Sequence, residues 1–360
     1  MLQFQPWKTA LVVLVCALGV LYALPNVIER DLTRDLPSWF PGKKINLGLD
    51  LQGGSHLLLE VDLDVVVAER LEAIVDQARR NLRQERIGYR GLGVANDVVL
   101  FTVRNAEELD KARDAVRRID PETVVETDAG NTVRIMLAEV AMRDLKARAI
   151  AQSIEIVRRR IDETGVREPT IQRQGEDRIL LQLPGIDDPE RIKALLGQTA
   201  KLTFRMVDST ASVQDALQGR VPPGSQLLPA VDDRSGALQN YVVQRRVMVS
   251  GENLVDAQPS FQDGQPVVSF RFDTVGGRRF GKATTENVGR PFAIVLDGKV
   301  ISAPVIQTAI LGGAGIISGN FTVQEVQDLS LLLRAGALPA PLQVLEERTV
   351  GPGLGADSIA

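Results

Sequence analysis

The chain has 360 residues, room for two or three domains of ordinary size. With 44% hydrophobic and 24% charged residues it has the composition of a folded protein, not of a disordered or fibrous one. One cysteine and one histidine leave no material for a zinc site, a disulfide framework, a Cys/His dyad or a Ser-His-Asp triad. A net charge of −4 with 4% aromatic residues offers neither the positive field nor the stacking surfaces that nucleic acid requires.

Residues 9–28, TALVVLVCALGVLYALPNVI, carry no charge. At 1.5 Å rise per residue they reach about 30 Å, the thickness of a hydrocarbon core, so the pattern predicts a transmembrane helix over 9–28 behind a short N-terminus, 1–8. The competing reading is a cleaved signal peptide with Lys8 in its basic region, but no small-x-small cleavage signal follows the run. Trp7 and Trp39 flank the segment, as interfacial rings do. Lys8 before it and Arg30 and Arg34 after it, interleaved with Glu29, Asp31 and Asp35, give no clear basic bias, so the residues leave the orientation open. Cys16 lies inside the apolar run and reads as a small hydrophobe.

A Pro-bounded stretch over 36–42 leads to KINLGLDLQGGSHLLLEVD, two short strands around the pair Gly53-Gly54. A helix follows with Val67, Leu71, Ile74, Val75, Ala78 and Leu82 on one stripe, then strands near Val94 and over 98–103, then a helix capped by Asn105 with Glu108 three residues on. The order helix, strand, strand, helix, strand then recurs: a helix through Leu145, Ala149, Ile154, Val157 and Ile161, strands over 170–174 and 178–183, and a helix over 188–196. RIGYRG matches RIDETGV, and NDVVLFTV matches EDRILLQL. This order suggests two ferredoxin-like units, each burying one sheet face under two helices. Arg158, Arg159 and Arg160 read as a solvated helix end, favourably placed against the helix dipole.

The texture changes from about Thr203. Strands are expected in KLTFRMV, YVVQRRVMVSGENL, PVVSFRFD, RPFAIVLDGKVISAPVI and GAGIISGNFT, with helices over about 274–288 and 323–333 and Gly336 as the helix stop. Basic and acidic residues are equal in number between Phe204 and Gly336, so bulk charge does not select what this second α+β domain touches.

Two sequences imitate chemical sites. GGRRFGKA, residues 276–283, matches the phosphate-binding loop except at its last position, where Ala283 lacks the hydroxyl that holds magnesium; Thr284 is out of register. The simpler reading is a helix with Phe280 turned inward and Arg278, Arg279 and Lys282 in solvent. GLDLQGG lacks the glycine spacing of a dinucleotide site, and His56 has no second histidine with which to share a metal. Asp297-Gly298 reads as a hairpin turn.

Several long motifs appear together in one order: GLDLQGG (48–54), RRRIDETGVREPTIQRQGEDRILLQLPGI (158–186), LGQTAKLTFRMV (196–207), RPFAIVLDGKVISAPVI (290–306), LLLRAGALPAPL (331–342) and EERTVGPGLGADSI (346–359). Together they resemble the SecD/SecF family of bacterial Sec translocon membrane subunits. The resemblance implies an inner-membrane protein with a cytoplasmic N-terminus and everything beyond about residue 30 in the periplasm. It implies a linker over 29–44, a base over 45–200, a head over 201–336, a return to the base over 337–350, and over 351–360 a lead-in to a second membrane helix that this chain lacks. The first repeat, about 64–138, resembles the longer proteobacterial form.

The resemblance also implies a function without catalysis, metal or cofactor: preprotein is held on the periplasmic side, with export coupled to the proton-motive force. Implied partners are SecF, the SecYEG channel, YajC, unfolded preprotein and membrane lipid. Its motif residues fall on Gly48, Asp50, Gln52, Gly53, Gly54, Pro184, Gly185, Asp297, Gly298, Pro304, Leu338 and Pro339. Gly197 and Gly336, where head meets base, are candidate hinges because glycine absorbs backbone rotation. The rival functions are a membrane-tethered nucleotide-binding protein using residues 276–283, and a scaffold that only assembles translocon subunits.

Overall fold

The apolar run forms helix α1 (Pro6–Val27). The computed structural model describes residues 6–27, 54–128, 130–166, 168–186, 188–231 and 238–350. Side chains of α1 are described as far as Gly19, and among the described residues no helix is long and apolar enough to cross a membrane.

Strand β1 (Gly54–Val61) alternates with the strand period, turning Ser55, Leu57, Leu59 and Val61 to one buried face. Helix α2 (Leu63–Gln84) then lays its apolar stripe on a sheet built from β2 (Tyr89–Ala95), β3 (Val98–Val103), β4 (Thr123–Asp128) and β5 (Thr132–Leu137), beside α3 (Leu109–Arg117). The strand order is β2-β3-β5-β4, antiparallel throughout. Phe101, Val99, Val133 and Ile135 fill the space beneath the two helices. Every element of this unit lies between residues 63 and 137.

Helix α4 (Glu139–Glu163), the hairpin of β6 (Thr170–Gln174) and β7 (Arg178–Pro184), and α5 (Pro189–Gly197) come next. Strand β7 pairs with β1, register Leu57↔Leu181, so this second sheet takes a strand from before the first unit.

The chain then builds a barrel unit. Its elements are β8 (Leu202–Val207), α6 (Val213–Leu217), β9 (Ser225–Val231), β10 (Leu238–Ser250), β11 (Leu254–Gln262), β12 (Gln265–Phe272), α7 (Thr274–Glu286), β13 (Phe292–Leu296), β14 (Lys299–Ser302), β15 (Ala314–Ile317) and α8 (Val323–Ala335). Five strands close as β10-β8-β13-β14-β9, and β11-β12-β15 form a smaller sheet. The Phe204 ring sits 5.4 to 5.8 Å from the rings of Phe270, Phe272, Phe280 and Phe292, which joins barrel, small sheet and α7 in one core. Helix α8 packs on β11. Finally β16 (Leu342–Val350) returns to the free edge of β1, register Val61↔Leu342 to Gly54↔Val350, and completes the order β16-β1-β7-β6.

The sequence expectation of two matched repeats in tandem needs amendment. The first unit has two strands after its second helix, and the second sheet is assembled from three separated stretches of chain. Strands β9 and β11 escape sequence reading because Pro229 and Pro259 interrupt them; β11 is an edge strand, where a missing amide is tolerated.

The sheet of β1, β6, β7 and β16 is thus interrupted twice, by the 63–137 unit and by the barrel unit. Val61 and Val140 line the same cleft, so the chain ends flanking the first interruption are neighbours. Replacing residues 62–138 with a short Gly-Ser linker should leave β16-β1-β7-β6 and the barrel folded, at a moderate cost from exposing Met142 and Leu145, which pack on the removed core. Amide exchange protection of β1 and β7 checks this. Loss of that protection would show that the sheet depends on the inserted unit.

Candidate functional site at the junction of sheet and barrel

The barrel unit is tethered by two crossings, residues 198–201 and 336–341, and one side chain holds both. Arg160, in the last turn of α4, is completely buried. Its Nη1 donates to the carbonyls of Leu195 at 2.6 Å and of Gln198; its Nη2 donates to those of Thr199 and Gly336, both at 3.2 Å. Leu195 lies in the last turn of α5, Gln198 is its C-cap, and Gly336 is the C-cap of α8, so two helix C-termini direct their unpaired carbonyls at one guanidinium. A planar cation with five donors suits such a cage, where an ammonium does not. Burial pushes the Arg160 pKa down to about 10, with Asp297 pulling it back up, so the group is charged at neutral pH. The solvated helix end expected for this arginine run holds only for Arg158 and Arg159, which stay exposed beside Glu155.

Asp297 completes the junction from the barrel side. Asp297 and Gly298 have φ 48° and 77°, the left-handed pair of a tight hairpin, as expected of the β13–β14 turn. The Asp297 carboxylate also accepts from the Thr199 hydroxyl, from Ala200 N–H at 2.9 Å and from Lys201 N–H at 2.7 Å. The Leu338 N–H donates to the Thr199 carbonyl at 2.8 Å, tying one crossing to the other. Around this centre, exposed ion pairs Arg191–Asp328 and Arg334–Glu163, each at 2.7 Å, bridge the sheet unit and the barrel unit, and Lys201–Glu69 links the first crossing to the 63–137 unit. Such pairs contribute about 0–1 kcal/mol each. Leu332 packs on Leu195 and Ala200 beneath them. A cleft of about 510 Å³ opens beside the crossings, lined by Val66, Ile156, Leu202, Leu254, Leu338 and Pro339 among others.

The expected motif residues separate into groups. Gly48, Asp50, Gln52 and Gly53 lie outside the described residues. Gly54 opens β1 and pairs with Pro184; Gly185, φ 62°, follows at the same end of the sheet, away from the junction. Pro304 accepts from Phe292 N–H inside the barrel unit. Asp297, Gly298, Leu338 and Pro339 converge at the junction and line a cavity of about 250 Å³ there. Of the two candidate hinges, Gly197 is the last residue of α5, and Gly336 has φ 99°, a conformation closed to other residues without strain. Sequence reading missed Arg160; its position on the α4 stripe, one residue before the buried Ile161, was the available signal.

The nucleotide-site imitation is resolved by the backbone. GGRRFGK lies inside α7 instead of forming a loop before a helix, and the Asp273 carboxylate already occupies the helix N-terminus, accepting from Gly276 N–H at 2.6 Å. This bond, with the one from Asn253, holds the Asp273 pKa below the usual carboxylate value. Gly276 is glycine because a Cβ would stand 2.5 Å from Asn253 Cβ. A larger cleft of about 630 Å³ near β1 and α4 carries Glu60, Asp62, Asp64, Asp144, Glu176 and Asp177, and among the described residues no His/Cys/Asp/Glu group is arranged to hold a metal ion.

A small sheet unit and a barrel unit, joined through two crossings that share one buried clamp, define a two-body structural module. Comparison with known proteins places that module. Residues 225–340 match the SecDF P1 head subdomain, residues 150–209 the N-terminal P1 domain of protein translocase subunit SecDF, and residues 38–62 the SecD/SecF GG motif. Protein translocase subunit SecD of Rickettsia conorii is 44% identical over the whole chain, which spans 68% of that protein; SecD of Magnetococcus marinus is 45% identical, with all of this chain and 69% of that protein covered. A crystal structure of SecDF in Super-membrane-facing form superposes on 98% of this chain with a TM-score of 0.52 at 26% identity, and the chain spans 36% of that larger protein. The chain therefore belongs to the SecD family of protein translocase subunits.

Removing the clamp should be costly. Arg160→Ala leaves the carbonyls of Leu195, Gln198 and Gly336 without this donor, while Thr199 keeps its bond from Leu338 N–H, and is expected to destabilise the protein by about 3 kcal/mol or more. Arg160→Lys recovers about half of that at most, since a compact ammonium cannot reach both crossings. Urea unfolding measures the loss, and amide exchange at Leu338 and Lys201 locates it. An Arg160→Ala midpoint equal to that of the parent chain would remove Arg160 from the centre of the junction.

Proposed function

We propose that the chain is the anchor and periplasmic part of a Sec translocation subunit, in which a head moves on a base while holding preprotein. On this reading α1 is the membrane span, residues 9–28, with its N-terminus in the cytoplasm. The base comprises the sheets within 45–200 together with 337–350, and the head is residues 201–336. The base is two ferredoxin-like units with their first strands exchanged: β4-β5-β3-β2 and β16-β1-β7-β6 both follow the order 4-1-3-2 of a split βαβ fold if β5 and β1 are each counted in the other's unit. SecF, SecYEG and YajC are the partners, and membrane lipid surrounds α1. Coupling to the proton-motive force would belong to the assembled translocase.

The observation that carries the reading is the junction. A pivot of buried Arg160, with Asp297 at the surface beside it, is ringed by solvent-exposed ion pairs that break and reform at little cost. That is how a rocking joint differs from a fixed one. The motif residues Gly54, Pro184, Gly185, Asp297, Gly298, Pro304, Leu338 and Pro339 then act through conformation, and Gly197 and Gly336 take up the rotation.

The test is to stop the rocking. In the full-length subunit with Cys16→Ser, Arg191→Cys and Asp328→Cys joined by a short bifunctional maleimide should abolish the stimulation of protein export, while either single substitution leaves it near the parent level. Undiminished export by the crosslinked protein would refute the moving-head reading.

A further inference from the structure

From Val300 to Gln324 no residue carries a charge, although much of that stretch is at the surface. Its central loop, residues 303–313, runs antiparallel along α7. Ile306 exchanges backbone hydrogen bonds with Gly289 and Arg290 at one end, Ile310 N–H donates to the Thr284 hydroxyl at 2.9 Å midway, and Gly313 lies against Gly277 at the other end. A Cβ on Gly281 would come within 3.5 Å of Leu311 Cδ2, so the small residues of α7 let the loop sit close. Ile306 and Ile310 turn inward to the barrel unit's core, while Val305 and Leu311 turn outward. Leu311 is 77% exposed, and Val305, Val288, Val275 and Ile316 are also exposed. Leu311 shares a shallow cavity of about 340 Å³ with Arg278, Lys282 and Glu286; the exposed Lys282–Glu286 pair, 3.8 Å apart, is a weak one, and the rim keeps a net positive charge.

An exposed apolar ridge with a basic rim is a contact surface, and its occupant follows from charge and position. The chain from α1 enters the base sheet at Gly54, and β16 ends beside it at Val350, whereas the head leaves from the opposite end, where Leu342 pairs with Val61. The ridge belongs to the body about 25 Å further along those strands, which argues against a lipid surface as the occupant. A ridge without fixed charges accepts apolar side chains in any order, and Arg278 and Lys282 complement carboxylates alongside them.

We propose that α7 and loop 303–313 form a capture surface for an extended, unfolded polypeptide segment that carries apolar residues next to acidic ones. The assignment rests on the polypeptide-handling reading above and adds the surface responsible. Leu311 and Val305 supply the apolar contact, and Lys282 and Arg278 the electrostatic one.

The probe is labelled, reduced and carboxymethylated α-lactalbumin, an unfolded acidic chain, titrated against the full 360-residue protein in phosphatidylcholine nanodiscs. Leu311→Asp and the milder Leu311→Ser should each weaken binding, the former about tenfold, with a smaller loss for Lys282→Glu, at unchanged thermal midpoints. Phe261→Asp, on a ring of the β11–β12 hairpin that is also largely exposed, should leave binding unchanged. If the parent chain binds the probe and Leu311→Asp binds equally well, or Phe261→Asp weakens binding as much, the capture surface is misassigned while the translocation reading stands. If phosphatidylglycerol vesicles displace the probe from the parent but not from Leu311→Ser, the ridge is a lipid contact and the proposal falls. If the parent does not bind at all, the polypeptide-handling reading fails, and the inference with it.

Discussion

A buried guanidinium between two helix ends is the constraint on which the arrangement of this protein depends. Taking a cation out of water costs several kcal/mol unless its surroundings replace the lost solvation. Here four backbone carbonyls do so at the two terminal nitrogens, leaving only Nε without a partner, and they come from parts of the chain that are distant in sequence: the end of α5, the first crossing and the end of α8. The carbonyls in turn need the cation, because the ends of helices leave acceptors that must be satisfied once water is excluded. Neither side is stable in that position without the other, so the cation and the carbonyls together hold the barrel unit to the sheet.

Hydrogen bonds around Asp297 extend this logic. A tight turn that any Asp-Gly pair could make instead spends its carboxylate on the crossing, and the hairpin of the barrel becomes the cap of the tether that carries it. The exposed ion pairs outside this centre contribute little, while the aromatic core around Phe204 joins the barrel, the small sheet and α7.

Much of this was legible in the residues. Periodicity located most helices and strands, including α7 and α8 to within two residues at their ends, and the Asp-Gly turn was read from two letters. The family motifs gave the assignment that relatives of 44 and 45% identity support. What escaped was non-local. The barrel closes through strands broken by proline in β9 and through a single parallel bridge from Val300 to Ala230, neither of which has a local signature. Arg160 looked like its two neighbours, because a charge run on a helix end reads as solvated until the chain that covers it is known. The glycines of α7 looked like a phosphate loop, because their reason lies in Asn253 and Leu311, distant in sequence.

The pairing of β1 with β16 joins residues 54–61 to residues 342–350. Contacts between such distant stretches form slowly, because loop closure must precede any gain from the pairing. The 63–137 unit and the barrel unit each contain their own cores, which do not depend on that pairing. The sheet that carries both has to wait for the last strand, and until then β1 presents an open edge with Leu57 and Leu59 beside it. Order of synthesis thus makes the first of this sheet's strands the last to be covered on both edges.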